Sequence, residues 1–592
     1  MGAFFLYQSD IKLNLPAVEA LFRAKGFSLP PVRQHFGVWT LMHYRKQLLP
    51  EETMSVSNGI VTLVATGTFS YMGNGLRQSL KQVLADYQAN RLVEDSFVGA
   101  YSLLFCTAQS ITVLSDRLNL LHVFTNQQQT VFSSSFAAVL KAGPQKFKLN
   151  VPAVIENALA GYIIGPETIV HGIHQVDERY RARSIHAGIT FQRHNLQELH
   201  TAPSVRGDFE TCVKDQIDEL DRWFIQLKRL VDEAGGVDIG LSGGYDSRLL
   251  VLMATRHFNK VTAHSHFHRQ ITRDESVAQE IARFLAVPLN RFEASKQPAE
   301  MDVEEFERNL ESAAPFSDMR VVHDYSWLNF FRTRWYRELV LKDVRFAMNG
   351  LGGELYRNHD NQVYRVNEPR AWLKARILGP GVFSAIGPKA LDDSMDHILA
   401  KASTALGQPL GRQISHHQMR RYFGELFSVY GAAVRLNADN QIAFSLSPYL
   451  DYQLRRASYR VLPQLGLAGR VEREMIKRLD KGVAAIPSAY GYRLDRLEPG
   501  LRLLKCGIRG LVPYCVQNSV NMVRLHGARR PSPVYEALFR RQPLVRQAAE
   551  LMRSQRFGLI WSRTVQNDVL MQRVLSIGIM LLKNEDSIDL SS

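Results

Sequence analysis

One eight-residue string constrains this chain more than any other: Leu241-Ser242-Gly243-Gly244-Tyr245-Asp246-Ser247-Arg248. It follows the apolar, strand-like Val237-Asp238-Ile239-Gly240 and opens into Leu249-Leu250-Val251-Leu252-Met253-Ala254, which reads as a helix. Strand, glycine turn and helix N-terminus together present consecutive backbone N–H groups to a phosphate. Two glycines let the backbone approach the anion, and Ser242 and Ser247 add hydroxyl donors. Asp246 would repel phosphates unless a Mg²⁺ sits between, held by carboxylate and phosphate oxygens together. The plainer alternative is a serine-glycine turn that only caps a helix. No Gly-x-x-x-x-Gly-Lys-Ser/Thr string occurs, so this is not a Walker loop.

The 592 residues suffice for two to four domains. Residues 1 to about 205 read as strand-rich, with β-branched and aromatic runs at Ile60–Phe69, Ala100–Phe105, Ile111–Arg117, His122–Thr125 and Thr130–Ser135. A short helix at Leu76–Tyr87 interleaves, which suggests a sheet sandwich with helices on its faces. The polar stretch Thr201–Gly207 reads as a linker, and Asp208–Val231 repeats its apolar residues at helical spacing. Beyond the loop, strands at Val261–Phe267 and Arg345–Asn349 alternate with a helix at Asp274–Ala286. That alternation predicts a parallel sheet with ligands at the carboxyl ends of its strands. From about 365 onward the chain reads as mostly helical.

Net charge is +15, and residues 501–592 carry 14 Lys/Arg against 6 Asp/Glu. Two readings stay open for that excess: a solvated helix surface, or a face for a partner protein or acidic ligand. No nucleic-acid motif accompanies it, so nucleic acid is not an expected partner. Cys106, Cys212, Cys506 and Cys515 show neither zinc-site nor disulfide spacing. With no apolar run of spanning length and no basic, apolar leader, the expectation is a reduced cytoplasmic protein without membrane partners.

The Ser-Gly-Gly-x-Asp-Ser string resembles the pyrophosphate loop of the N-type ATP pyrophosphatases, which split ATP between its α and β phosphates. More widely, residues 1 to about 495 resemble the asparagine synthetase superfamily. The resemblance rests on Gly99–Leu104 and Ser115-Asp116-Arg117, then Asp274-Glu275 with Ala278 and Ala282. It continues through Gly350-Leu351-Gly352-Gly353-Glu354, Pro448-Tyr449-Leu450-Asp451 and Lys481-Gly482. It implies a glutaminase-like sheet sandwich of the N-terminal-nucleophile type over 1–205 and an α/β parallel-sheet adenylating domain over 206–495. A basic helical extension over 496–592 completes this multidomain α/β and α+β architecture.

The implied activity is an ATP-dependent carbon–nitrogen ligase. Leu241, Ser242, Gly243, Gly244, Asp246, Ser247, Gly350 and Gly352 would bind ATP and its pyrophosphate. Backbone groups around His264 would meet adenine, while Asp246 and Glu354 would hold Mg²⁺. A substrate carboxylate, of a small acid or a peptide, would attack the α-phosphate; an amine or ammonia would then attack the acyl-adenylate. Lys481 would stabilise the oxyanion, with Lys477 one turn earlier as its rival. His264, His266 and His268 share a strand face, but no carboxylate or cysteine completes a metal set.

Two departures matter. Such glutaminases use a cysteine at position 2, and here stands Gly2, so glutamine hydrolysis is not expected. Asparagine synthetases place a glutamate where this chain has Leu351, which cannot relay a proton. The rival readings are an asparagine synthetase homologue amidating aspartate with free ammonia, and a lasso-peptide or other natural-product cyclase. A third is a degenerate homologue that only binds nucleotide.

Overall fold

In a computed structural model, residues 2–51, 54–177, 188–192, 194, 196, 199, 207–267, 272–293, 298–321, 333–358, 366–496, 500–526 and 533–591 are described. Residues 201–206 of the expected linker, and His268, lie outside them. The fold is a multidomain α/β architecture with mixed sheets and many helices. The N-terminal part stacks two sheets. One has the strand order 173–175, 124–126, 131–133, 3–8, 39–44, 32–36, and the other 189–191, 111–115, 97–106, 62–71, 55–57. The central pair runs antiparallel from Thr62↔Cys106 to Tyr71↔Phe97. Both strands are buried over nearly all their length, which explains their continuous rather than alternating apolar character.

Two strand boundaries shift from the sequence expectation for local reasons. The strand expected from Ile60 begins at Thr62, because Asn58 Oδ1 accepts from the Ile60 and Val61 amides and turns the chain. The strand expected from His122 begins at Phe124, because the Asp116 carboxylate gathers the Leu118, Leu120 and Leu121 amides just before it. Burial raises the Asp116 carboxyl to about 6 against those hydrogen bonds.

Helix Phe209–Glu233 leads into a five-stranded parallel sheet ordered 289–293, 261–267, 237–240, 346–348, 444–446. Beyond 365 the described chain is mostly helical, as expected, and Phe444–Leu446 supplies the edge strand of this sheet. Strand order reverses beside Val237–Gly240, so the crevice between the ends of 237–240 and 346–348 is where ligands enter such sheets.

The C-terminal helices return to the N-terminal part. Helix Asp568–Leu582 is buried along nearly its whole length, and its Arg573 Nη1 donates to Leu159 O at 2.7 Å. Ile588–Asp589 then pairs in parallel with Phe147–Lys148.

Candidate functional site

Three of the motifs end at one edge of the parallel sheet. The Ser-Gly-Gly loop leaves strand 237–240, residues 350–354 leave 346–348, and Pro448–Leu450 leaves 444–446. Leu241 N–H donates to His264 O at 2.9 Å, continuing the sheet into the loop. The loop then closes on itself. Ser242 Oγ meets Ser247 Oγ at 2.9 Å, Ser242 N–H donates to Ser247 Oγ at 3.1 Å, and Gly244 N–H donates to Ser242 Oγ at 3.3 Å. Gly243 N–H donates to Asp274 Oδ1 at 3.0 Å, which brings the Asp274 motif to the loop. Gly244 caps helix Tyr245–His257 with no side-chain partner, leaving the first-turn amides to an outside acceptor.

Asp246 sits in that first turn, and the other loops converge on it. Tyr449 Oη donates to Asp246 O at 2.8 Å. Ser447 Oγ donates to Asn349 O at 2.9 Å and Leu351 O at 2.6 Å, suturing one loop to the next. Gly353 lies directly on the carboxyl: a Cβ there would stand 2.3 Å from Asp246 Cγ. Gly352 adopts φ 82°, a left-handed conformation in which a Cβ would also meet Leu450. The Pro-Tyr-Leu-Asp segment therefore works structurally. Asp451 caps the next helix through Gln453 N–H at 2.8 Å and accepts from Gly99 N–H at 3.2 Å, tying the two parts together.

Two residues not singled out in the sequence complete the carboxylate centre. Arg357 pairs with Asp246 and lies 3.2 Å (Nε) from Glu472 Oε2, whose side chain is wholly buried. Burial raises the Asp246 carboxyl, with Arg357 opposing and Glu354 adding to the rise. Burial and the Asp246 charge push Glu472 well above the carboxylate range. Burial opposes the charge on Arg357, yet Glu472 and Asp246 hold its pKa above the ordinary value. Asp246 Oδ1 and Glu472 Oε1 are buried and accept from no N–H or hydroxyl among the described residues, the two carboxyls standing close enough to share a proton. Unsatisfied buried carboxylate oxygens of this kind suit a hard divalent cation.

The remaining predicted residues are placed differently. Glu354 is exposed, close enough to influence Asp246 and Glu472; its carbonyl accepts from Arg420 Nη1 at 2.7 Å, while its carboxylate makes no hydrogen bond or ion pair with the described residues. His264 is buried, with Nδ1 2.5 Å from Asp238 Oδ2 and Arg337 3.5 Å from Nε2, so its ring belongs to the sheet core. Lys477 pairs with Glu474 at 3.2 Å. Lys481 is exposed and has no ion pair among the described residues. Its segment is nonetheless anchored to the loop helix: buried Arg248 Nη1 donates to Val483 O at 3.0 Å and Ile486 O at 2.7 Å.

Where the N-terminal part meets the parallel-sheet part, Gly2 N–H donates to Tyr44 O at 2.9 Å, and a Cβ on Gly2 would stand 2.7 Å from the Phe27 ring and 3.0 Å from Gln441 O. Asp318 reaches in from the parallel-sheet part. It accepts from Lys25 Nζ at 2.9 Å, from Phe136 N–H at 2.6 Å and from Ser135 Oγ. Asp318 and Met319 take φ 59° and 56°, left-handed values that cost non-glycine residues energy.

No family model and no curated protein matches this chain. Among solved structures, the glutamine phosphoribosylpyrophosphate amidotransferase from B. subtilis, complexed with ADP and GMP, is similar at 11% identity. The match covers 49% of this chain and 90% of that chain at a TM-score of 0.19, a value too low to carry an argument. Among the described residues no helix is long and apolar enough to cross a membrane.

Proposed function

We propose that this chain is an ATP-dependent amide-forming ligase of the asparagine synthetase type, adenylating a carboxylate and releasing AMP and pyrophosphate. One observation carries the reading: loops from three adjacent parallel strands meet at Asp246, whose carboxyl is left with an unsatisfied buried oxygen. Asp246 and Glu472 are the residues that would hold Mg²⁺, with exposed Glu354 beside them. When bound, that ion would neutralise phosphate charge and polarise the α-phosphate.

The chain's own groups do the rest. Ser242 and Ser247 would exchange their mutual hydrogen bond for phosphate oxygens, and the first-turn amides of helix 245–257 would add donors. Tyr449 and Gly353 hold Asp246 in place from two sides. Lys481 would swing from solvent toward the acyl-adenylate and stabilise its oxyanion. The packed surroundings of Gly2 support a glutamine-independent reaction, in which ammonia or a substrate amine is the acceptor.

Chromatography of the nucleotide products decides the matter. Incubated with Mg²⁺, ATP, ammonium and a panel of carboxylic acids, the protein is expected to give AMP and pyrophosphate. ADP and phosphate as the main products would overturn the proposal.

A further inference from the structure

A cavity of about 390 Å³ lies on the far side of the 350–354 loop from Asp246. Its volume falls within the range of small-molecule sites. Leu351, Gly352 and Glu354 line it at the loop, so one stretch of backbone separates this space from the carboxylate centre. Leu355, Ile377, Phe423 and Phe427 give it an apolar body. The N-terminal part contributes a wall as well. Tyr162 lines the cavity, its ring edge-on to Phe427 at 5.6 Å and its hydroxyl 3.1 Å from Tyr422 Oη.

Two features mark the cavity as built rather than left over. Both π-helical segments among the described residues, Lys374–Leu378 and Tyr422–Ala432, supply lining residues. Such segments concentrate at functional sites because the extra residue redirects side chains at a cost in packing. Among the described residues the lining is also charged in one direction: Arg376, Arg420 and Arg455 against Glu354. Arg420 and Arg455 spend hydrogen bonds on carbonyls of the surrounding loops, Arg420 on Leu355 O at 2.7 Å and Arg455 on Tyr449 O at 2.5 Å. Their positive charge still faces a space with one carboxylate, which favours an anionic occupant.

We infer that this cavity binds the carboxylate substrate, and that the substrate is an acid with an aryl or medium-length apolar body rather than a short polar one. The inference rests on the ligase reading for its assignment of the occupant as the group adenylated. Leu351 fits it, since an apolar residue at the floor meets an apolar body. A compact polar acid such as aspartate would leave Phe423, Phe427 and Ile377 without contact and lose their burial energy. Tyr162 gives the N-terminal part a use that needs no nucleophile at position 2.

Calorimetric titration of the full chain with 3-phenylpropanoate, 3-phenylpropanol and aspartate tests this, with Mg²⁺ and ATP present and absent. The acid is expected to bind at least about tenfold more tightly than either the alcohol or aspartate. Phe427→Trp and, separately, Ile377→Trp fill the cavity and should each weaken it about tenfold or more, leaving ATP affinity unchanged. Thermal unfolding shows which of the two variants is folded and therefore informative. Aspartate binding as tightly as the aryl acid, no binding of the acid, or indifference of a folded variant would each overturn the inference. ATP–pyrophosphate exchange with the same acids separates the two claims. Aryl-acid binding without exchange sinks the ligase reading and keeps the cavity. Exchange with aspartate but not with the aryl acid does the reverse.

Discussion

The surroundings of Gly2 and of Asp246 handle buried charge differently. At Gly2 the place a Cβ would take is filled by the Phe27 ring, and Lys25 nearby is paired with Asp318. At Asp246 two carboxyl groups are pressed together and share one guanidinium, leaving Asp246 Oδ1 and Glu472 Oε1 without an N–H or hydroxyl donor among the described residues. Unsatisfied buried oxygens are costly, so they persist where a ligand or ion relieves them. The first site is packed as structure; the second retains the strain expected of a working site.

The sharpest way to break that contrast is Asp246→Asn. ATP–pyrophosphate exchange should fall by about 10³-fold or more, since a charge that would hold the metal is gone. The melting temperature should fall only modestly, because the ion pair of Asp246 with Arg357 is lost while Arg357 keeps Glu472. Retained exchange would show that the convergence on Asp246 is only architectural. Asp318→Ala should do the opposite. It strands Lys25, only 2% exposed, and removes acceptors from Ser135 and Phe136. A loss of about 3 kcal/mol in denaturant unfolding is expected, with exchange at low temperature little changed.

Gly2→Cys restores the nucleophile type without restoring room for it. It should release no glutamate from glutamine and should cost about 2 kcal/mol through overpacking against Phe27. Steady glutamate release would show the site to be open after all. The smallest effect concerns His43, on the strand beside it. Burial, chiefly, pulls its imidazole from 6.5 down to about 4. Between those values the unfolded chain binds a proton that the folded one refuses. Stability from neutral His43 is therefore complete above pH 6.5 and lost as pH falls toward 4. His43→Leu should shrink the loss between pH 7 and pH 5 by about 2 kcal/mol. Equal pH dependence in both proteins would remove His43 from the account.

The local parts of the site were legible because they are short and continuous. Residues 241–248 fold as a strand–turn–helix unit whatever surrounds them, and the helix over 209–233 announces itself by spacing. Strand Phe444–Leu446 was hidden, since Phe-Ser-Leu after a helix is too short to carry a period. Arg357 and Glu472 were missed because their partnership with Asp246 is set by tertiary packing across more than 100 residues. A signal did exist for Glu472: it lies on the apolar stripe of helix Arg470–Leu479 with Val471, Met475 and Ile476. A carboxylate on a buried face is an invitation to look for its partner.

The pairing of Phe147–Lys148 with Ile588–Asp589 also governs the order in which this molecule can be completed. Lys141 and Asp586, in contact beside that pairing, are 445 residues apart. At ribosomal rates of about 5–20 residues per second, the early segment waits roughly 20–90 s for its mate. Meanwhile helix Val151–Ala160 lacks the covering helix 568–582, and its apolar face is open to solvent and to other nascent chains. Closure of so long a loop comes late, which makes the 588–589 pairing a latch on a nascent chain.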